Sequence, residues 1–229
     1  MIEHGHGAKK AACFYGWPSL SYHNVKAGDY FYTMTPERQE RIKNVLNYRQ
    51  PDLTVVMENV HDPHNISAVM RTCDAVGIQE LYILNTVIAR HDKFGKKSSA
   101  SAAGWLTIHH FDNTEACIKA IRSKYSKIYA THLGEQAHSL YELNLTEPVA
   151  LVFGNEHAGV TAECLQHCDG NFIIPQVGMV RSLNISVACA VSLYEAYRQR
   201  EKAGFYSGSP RLDATRRANL ASQWGMHEE

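Results

Sequence analysis

Two glycines bracket a short segment that carries a carboxylate and follows an apolar run. The segment reads GNEHAGVT, with Gly154 and Gly159 on either side of Glu156. Glycines at this spacing frame phosphate-binding loops, in which a following lysine reaches the terminal phosphate. Val160 stands where that lysine would be, so the pattern argues against a P-loop nucleotide hydrolase. Two interpretations remain, a tight turn with an exposed Glu156 and a loop that presents this carboxylate to a ligand.

A second segment, RSLNISVACAVSLYEAYRQR, begins with polar side chains and continues as an apolar helix. Pro175 and Gly178 lie just upstream, which indicates that the chain enters this helix through a turn. Ser182, Asn184 and Ser186 then stand across the predicted first turn. Either these side chains only cap the helix, or they face something other than protein.

A third segment, HDPHNISAVMRTCDAVG, predicts a helix with one apolar face. Asp62 and Pro63 are typical of a helix start, because aspartate caps well and proline suits the first helical position. Taken alone, Asn65 is expected to act as a cap at this end. Arg71 lies on the polar side, where an ion pair with Asp74 three residues later is the simplest expectation.

Metal and hydrolase chemistry are not supported by the residue patterns. Thirteen histidines occur, but none form H-x-x-x-H or H-E-x-x-H pairs, and no C-x-x-C is present. No metal site is therefore predicted. A G-x-S-x-G elbow is also missing, and no histidine or aspartate is tied to Ser182 by spacing, so no hydrolytic triad is predicted.

Strands and helices are predicted to alternate along most of the chain. Strands are predicted in DLTVVMENV, ELYILN, WLTIHHF, KIYATHL, VALVFGN and NFIIPQ. Further helices are predicted in TPERQERIKNVLNYRQ with Thr35 as N-cap, in NTEACIKAIRSKY with Asn113 as N-cap, in TAECLQHC and in LDATRRANLASQW. This alternation indicates an α/β fold with a mainly parallel sheet.

Charge is distributed unevenly, although the 229 residues carry a formal net charge of zero. That balance argues against a uniformly basic nucleic-acid binder. Arginine and lysine nevertheless concentrate in residues 38–49, 90–97 and 198–217. One such segment is usually a solvated surface, but three around an apolar core indicate a polyanionic partner.

Neither export nor membrane insertion is expected. The chain has no apolar run of about eighteen residues and no signal-peptide core. Its six cysteines are scattered, and we interpret them as reduced thiols of a cytoplasmic protein. Residues 1–34 are rich in aromatic residues, histidine and glycine without a clear period, and no structure is assigned to this extension.

Together these segments resemble the SpoU branch of the SPOUT methyltransferases. NVHDPHNISAVMRTCDAVG is similar to the family's N-x-x-x-x-x-R block, and LVFGNEHAGV to its G-x-E-x-x-G block. IIPQVGMVRSLNISVACAVSLYE is similar to its I-P-M-x-G-x-x-x-S-L-N-x-S-x-A block, with Gln176 where methionine is common. The blocks occur in family order over most of residues 53–200. YRQPDLTVVMENV and the basic helical tail look like the branch's tRNA guanosine 2′-O-methyltransferases (TrmH).

The resemblance implies a fold, a cofactor and an assembly. The fold is α/β with helices on both faces of the sheet and a C-terminal deep trefoil knot, in which S-adenosylmethionine binds. The assembly is a homodimer with the active site near the subunit interface. Carried over by position, the implied cofactor-binding residues are Thr131, Gly154, Ile174, Met179 and Leu183. The implied catalytic residues are Asn65, Arg71, Glu156, Ser182 and Asn184.

The implied reaction is methylation of a ribose 2′-hydroxyl in tRNA, specifically of the D-loop guanosine (Gm18). Family proposals make the arginine matching Arg71 the base. Because a guanidinium stays protonated, we expect Arg71 instead to clamp a phosphate and stabilise a developing alkoxide. The alternatives are another tRNA ribose, ribosomal RNA or, in a different class, a non-catalytic RNA-binding protein that keeps the knot for dimerisation.

The resemblance also suggests how the chain is divided. Residues 35–50 are predicted to be a helical RNA-binding segment, residues 51–203 the catalytic domain, and residues 204–229 a basic helical tail. The residues expected to contact tRNA phosphates are Arg38, Arg41, Arg49, Lys96, Lys97, Arg198, Arg200, Arg211, Arg216 and Arg217.

Overall fold

The computed structural model describes residues 34–89, 102–134 and 137–226. Two residues expected to contact tRNA, Lys96 and Lys97, lie outside the described residues, as does the predicted extension up to residue 33. Within these ranges, no helix is long and apolar enough to cross a membrane.

Seven strands form one sheet. In chain order they are Leu53–Glu58 (β1), Glu80–Leu84 (β2), Thr107–Phe111 (β3), Lys127–Thr131 (β4), His138–Ser139 (β5), Val149–Phe153 (β6) and Gly170–Ile173 (β7). Their spatial order is β3-β2-β1-β6-β4-β7-β5, and every neighbouring pair is parallel. The predicted parallel sheet is therefore confirmed, and all its carboxyl ends lie at one edge.

The helices are Pro36–Asn47 (α1), Pro63–Ala75 (α2), Thr114–Arg122 (α3), Ala162–Leu165 (α4), Ile185–Lys202 (α5) and Ala214–Gln223 (α6). Three predicted N-caps are confirmed, because Thr35, Asp62 and Asn113 each accept a hydrogen bond from a backbone N–H of the first turn. The predicted start of α5 near residue 181 is wrong. Asn184 is the N-cap, with extended backbone (ψ 140°), so residues 181–184 precede the helix.

Helices cover both faces of the sheet, as the resemblance implied. On one face, Val55 and Phe153 pack with side chains of α2 and α5, such as Met70 and Leu193. The opposite face packs against α3 and α4 through a second set of buried apolar residues. Because β1, β2 and β6 are buried on both faces, their sequences are mostly apolar rather than alternating, with Thr54, Glu58 and Glu80 as the polar exceptions.

The helices at the two ends of the described chain pack against each other. Ile42 and Leu46 of α1 are buried with Leu220 of α6 and with Trp224, which follows α6. Trp224 also meets Trp105 edge-on, with ring centroids 5.3 Å apart. The predicted RNA-binding segment and the predicted tail therefore lie side by side, although about 170 residues separate them in sequence.

Candidate functional site

The carboxyl edge of the sheet brings together the loops that follow β1, β6 and β7. β1 and β6 are hydrogen-bonded neighbours, so residues 59–62 and 154–161 leave the sheet side by side. Beside them, the loops that follow β4, β6 and β7 line a cavity of about 530 Å³. Ligands of α/β proteins bind at this edge because loops, and not covering helices, meet there.

Three of the residues implied to be catalytic form one chain of hydrogen bonds at this cavity. Asn65 Nδ2 donates to Glu156 Oε1 at 2.9 Å, and Asn184 Nδ2 donates to Asn65 Oδ1 at 3.1 Å. The backbone N–H of His61 donates to Glu156 Oε2 at 3.3 Å. Residues from the three separate sequence blocks are therefore in contact, which spacing alone does not require.

Asn184 both caps α5 and bonds to another residue of the site, whereas the sequence left these two roles as alternatives. Its Oδ1 accepts hydrogen bonds from the backbone N–H of Ser186 at 2.9 Å and from the Ser186 hydroxyl at 2.6 Å, which caps α5. Its Nδ2 donates in the opposite direction, to Asn65. An asparagine can do both because its side chain carries an acceptor and a donor.

Glu156 is held in its ionised form. Partial burial by itself raises the pKa of this carboxyl, but hydrogen bonds from Asn65 and from backbone N–H groups, that of His61 included, outweigh burial and lower the pKa. An ionised carboxylate is an acceptor only. Glu156 therefore fixes the donors of Asn65 and does not act as a proton donor near neutral pH.

The segment that carries Glu156 is a closed turn. The backbone groups of Asn155 and Gly159 exchange two hydrogen bonds, each of 2.9 Å. A Cβ on Gly154 would lie 2.2 Å from the carbonyl carbon of Gly159, and Gly159 itself has φ +71°. GNEHAGVT is therefore a tight turn, and this turn also directs the Glu156 carboxylate toward Asn65.

Four of the five residues implied to hold the cofactor line the cavity, namely Thr131, Gly154, Ile174 and Leu183. Met179 does not line it, and this residue is 98% exposed. The Thr131 hydroxyl donates to the carbonyl of Val152 at 3.2 Å, so its polar group is used within the sheet. The structure thus gives no support to Met179 as a contact of this cavity.

Ser182 and Arg71 stand apart from the hydrogen-bonded chain. Ser182 lines the cavity from the extended segment before α5. Arg71 is exposed on α2 and forms no hydrogen bond or ion pair with any described residue. The expected ion pair between Arg71 and Asp74 is wrong, because Asp74 pairs with Arg49 at 2.8 Å.

Residues 52–194 match the SpoU rRNA Methylase family. The matched range contains all the residues of the hydrogen-bonded chain and covers well over half of the protein. This chain belongs to the SpoU methylase family.

Relatives of this SpoU family member match in sequence and in fold. The tRNA (guanosine(18)-2'-O)-methyltransferase of Thermus thermophilus is 43% identical over 190 residues, which are 83% of this chain and 96% of that protein. The A. aeolicus TrmH/SpoU tRNA modifying enzyme has a TM-score of 0.76 and 36% identity, covering 82% and 94% of the two chains. The SpoU methyltransferase AviRb from Streptomyces viridochromogenes, in complex with the cofactor AdoMet, has a TM-score of 0.60 and 26% identity, covering 67% and 59%.

Two arginines expected to contact RNA are buried in this family member. Arg49 and Arg200 are both 0% exposed. Arg49 bonds to Asp74 and to the carbonyls of Ile78 and Trp105. Arg200 bonds to Asp52, Gln50 and the carbonyls of Leu145 and Glu147. The prediction that these two guanidinium groups contact tRNA phosphates is corrected, because they have no exposed surface to offer.

The remaining described arginines of the predicted RNA surface differ in availability. Arg38 and Arg41 are exposed on α1. Three others are partly exposed but form ion pairs, Arg198 with Glu195, Arg211 with Asp52 and Arg216 with Glu80. Arg217 donates only a long hydrogen bond of 3.4 Å to Asn47. Among the arginines predicted to contact RNA, Arg38 and Arg41 are thus exposed without an ion pair to any described residue, and Arg217 is partly exposed.

The sequence patterns did not indicate two residues that shape the site, Asn59 and Asn155. Asn59 directly follows β1 and has φ +52°. Asn155 accepts hydrogen bonds from the backbone N–H groups of His157 and Ala158 in the turn that carries Glu156. An asparagine directly after a strand is one signal that could have indicated Asn59, because this residue type is enriched in the left-handed region.

Proposed function

We propose that this SpoU family member transfers a methyl group from S-adenosylmethionine to the ribose 2′-hydroxyl of a tRNA guanosine, the D-loop guanosine (Gm18). The observation that carries the proposal is the chain Glu156–Asn65–Asn184 at the rim of the cavity. The guanosine assignment is supported by the name of the Thermus thermophilus relative, which is 43% identical over nearly its whole length.

The cavity suits the cofactor in size and chemistry. About 530 Å³ lies within the usual range for small-molecule sites. Ile174 and Leu183 provide apolar walls, and the loops around Gly154 expose backbone groups that can bond to an adenine or a ribose. When bound, S-adenosylmethionine supplies a methyl group on a positively charged sulfur.

Positioning of the ribose is the first task of the site residues. A ribose hydroxyl is a poor nucleophile until its proton leaves, and alignment with the methyl group contributes several kcal/mol to such reactions. Ser182 and Asn184 lie on the cavity wall, where they can hold the hydroxyl and its adjacent phosphate. Glu156 keeps Asn65 and Asn184 in one arrangement, so less alignment has to be achieved during the reaction.

Arg71 has the second task, electrostatic stabilisation. Because it forms no hydrogen bond or ion pair with any described residue, its five donors are available to RNA. A bidentate guanidinium–phosphate contact fits these donors. The charge then stabilises the oxygen as its proton passes to solvent water, a role that requires no change of protonation in Arg71.

A basic surface formed by α1 and α6 is the proposed contact for the body of the tRNA. It comprises Arg38, Arg41 and Arg217, together with Lys43, which lines the same groove as Arg217. Lys96 and Lys97 are also proposed to contact tRNA, and for these two residues the proposal rests on the sequence alone. Phosphate contacts release counterions, so tRNA affinity should fall steeply as salt rises.

A homodimer is also part of the proposal. The segment before α5 exposes Val177, Met179 and Val180, and α5 exposes Val187 and Tyr194. Adjacent exposed apolar side chains are typical of protein interfaces. Burial of this surface against a second copy would place the interface beside the cavity, and the predicted knot would lie in the same part of the chain.

The proposed compartment is the cytoplasm. All five cysteines in the described part of the chain are free thiols, and four of them are buried. Unpaired cysteines are typical of proteins that fold under reducing conditions.

Transfer of labelled methyl from S-adenosylmethionine to total tRNA, followed by mapping of ribose methylation, tests the proposal. We expect label at the D-loop guanosine. Label at another tRNA ribose, or in ribosomal RNA only, would contradict the proposed substrate but support the proposed reaction, ribose 2′-O-methylation. No transfer and no calorimetric binding of S-adenosylmethionine would contradict the enzymatic proposal and favour a non-catalytic RNA-binding protein.

A further inference from the structure

Asn59 occupies a backbone conformation that few side chains adopt. It follows the last residue of β1 directly and has φ +52°, which makes it the one residue other than glycine with a positive φ among the described residues. Its side chain is nearly buried, at 2% exposure. Asparagine tolerates this left-handed region better than most residues, whereas alanine there carries a conformational cost.

The side chain of Asn59 holds the loop that follows β2. Its Oδ1 accepts hydrogen bonds from the backbone N–H groups of Thr86 at 2.8 Å and of Val87 at 3.1 Å. Its Nδ2 donates to the Thr86 hydroxyl at 3.1 Å. Three of the four hydrogen-bonding positions of the amide are thus occupied by one neighbouring loop.

The backbone of Asn59 holds a different loop, the one that carries Glu156. The Asn59 carbonyl accepts a hydrogen bond from Asn155 Nδ2 at 2.8 Å. Asn155 Oδ1 in turn accepts from the backbone N–H groups of His157 at 2.9 Å and Ala158 at 3.0 Å. The side chain of Asn155 therefore links the Asn59 carbonyl to the backbone of the two residues that follow Glu156.

We propose that Asn59 is a positioning residue for methyl transfer, joining the loops after β1, β2 and β6 so that Glu156 holds Asn65 and Asn184 in line. The inference rests on the proposed function, because it assigns Asn59 to the reaction that this cavity performs. Asn59 is not among the residues that line the cavity, so it acts through Asn155 and Glu156.

Two properties of Asn59 serve this role, and substitution can separate them. Glycine keeps the left-handed backbone, and with it the direction of the carbonyl, but loses the side-chain bonds. Aspartate keeps both bonds from the N–H groups of Thr86 and Val87, and the Thr86 hydroxyl can donate to it. Alanine loses the side-chain bonds and also disfavours the backbone conformation.

The test measures kcat and KM for Asn59→Asp, Asn59→Gly and Asn59→Ala at a temperature where thermal unfolding shows every variant to be folded. Small displacements of positioning groups reduce rates by up to about a hundredfold. We expect kcat to fall by less than about threefold in Asn59→Asp, about tenfold in Asn59→Gly and about a hundredfold in Asn59→Ala. KM for S-adenosylmethionine and for tRNA should stay near the wild-type values.

Asn144→Ala is the matched control. Asn144 is also a loop asparagine that accepts a backbone N–H, from Thr146 at 3.1 Å, but it lies in the connection between β5 and β6 and does not line the cavity. Its kcat should equal that of the wild type. Equal kcat values for wild type, Asn59→Gly and Asn59→Ala in folded protein would overturn the inference, as would losses that appear only in KM.

Amide hydrogen exchange tests the same coupling without any substrate. In Asn59→Ala the amides of His157 and Ala158 should exchange faster than in wild type, and in Asn144→Ala they should not. Unchanged exchange would contradict the coupling. A wild-type protein that transfers no methyl would contradict the proposed function instead, while the exchange result would still decide whether Asn59 controls the Glu156 loop.

Discussion

The two edges of the sheet use polar side chains in opposite ways. At the carboxyl edge, Glu156, Asn65 and Asn184 bond to one another beside an open cavity. At the amino edge, Arg200 is buried and bonded to the segments that lead into β1 and β6, residues 50–52 and 145–147. Polar side chains therefore have different roles at the two edges. At the carboxyl edge they face a ligand cavity, and at the amino edge they hold segments of the chain together.

The amino edge explains why arginine is needed inside the protein. Loops that enter buried strands carry backbone carbonyls without strand partners, and unpaired buried carbonyls are costly. Arg49 and Arg200 offer several donors each and also pair with Asp74 and Asp52. The aromatic rings of Trp224 and Phe205 lie over the two guanidinium groups, at 5.3 Å and 5.5 Å. At this edge basic residues act as structural links.

The largest predicted effect tests whether the amino edge is structural. Arg200→Ala should lower the free energy of unfolding by about 3 kcal/mol, because it leaves Gln50 and the carbonyls of Leu145 and Glu147 without their donor, while Asp52 keeps its ion pair with Arg211. Denaturant unfolding measures this change. Arg198→Ala, two residues earlier on the exposed side of α5, should cost less than about 0.5 kcal/mol. Similar losses in the two variants would show that the burial of Arg200 does not matter.

The second prediction tests whether Arg71, an exposed arginine of α2, takes part in catalysis. Arg71→Ala should reduce methyl transfer by about 10²–10³-fold with little change in stability, because Arg71 bonds to no described residue. Arg71→Lys should also lose most activity, since an ammonium group cannot make the bidentate contact. Arg122→Ala, which removes an exposed arginine of α3 that pairs with Asp169, is the charge-matched control and should transfer methyl normally.

The pH dependence of Arg71→Ala separates two roles. If Arg71 acts through its fixed charge, the residual kcat should show the wild-type pH profile. A profile that loses an ionisation in the variant would support Arg71 as the base and contradict the electrostatic role.

The third prediction separates the two roles of Asn184. Asn184→Ala should reduce methyl transfer by about tenfold to a hundredfold and lower stability by about 1 kcal/mol, because the N-cap is lost. Asn184→Asp should keep the cap and its stability but lose activity, because a carboxylate cannot donate to Asn65. Thermal unfolding and labelled methyl transfer on both variants provide the measurement. Full activity in Asn184→Asp would show that the hydrogen bond from Asn184 to Asn65 is not needed for methyl transfer.

The smallest effect concerns Glu80, a buried carboxylate at the amino edge. Burial alone raises the pKa of Glu80, but hydrogen bonds from His109 and Lys124 and the charges of Lys124 and Arg216 lower it to about 2. The folded-state pKa is thus below the unfolded one, so the stabilisation is present above pH 4.5 and is lost as the pH falls toward 2. Because Lys124 and Arg216 are partly exposed and screened by solvent, we expect the stability lost between pH 7 and pH 3 to be about 1 kcal/mol.

Urea unfolding at pH 7 and pH 3 measures this contribution. Wild type should lose more stability than Glu80→Gln over that interval, because glutamine has no proton to take up. Equal losses in the two proteins would show that the Glu80 cluster adds nothing to acid stability.

Local patterns predicted most helices and strands. Thr35, Asp62 and Asn113 were recognised as caps because capping depends on residues within one turn. The central strands were recognised because a parallel sheet covered on both faces requires continuous apolar runs. The sequence does not locate the start of α5, because Ser182 and Asn184 are both good N-cap residues, and in the structure Asn184 is the cap.

The functional surface was harder to predict than the fold. The sequence does not distinguish exposed arginines from buried ones. It assigns the same positive charge to Arg49, Arg71 and Arg200. Arg49 takes the partner expected for Arg71, because Asp74 points to the amino edge and not along its helix. Sequence spacing cannot show that Asp74 pairs with Arg49, because these residues are 25 positions apart and come into contact only in the folded chain.

The sequence by itself determined the family, the parallel α/β fold and the residues of the Glu156–Asn65–Asn184 chain, because motif and periodicity are local properties. Only the tertiary structure decided that Asn59 links three loops, that Met179 is exposed outside the cavity lining and that Arg49 and Arg200 are internal. Each of these depends on which loops the strand order places side by side. Hydrogen-bonding groups are satisfied by their neighbours in space, and in a sheet of order β3-β2-β1-β6-β4-β7-β5 most of those neighbours are distant in sequence.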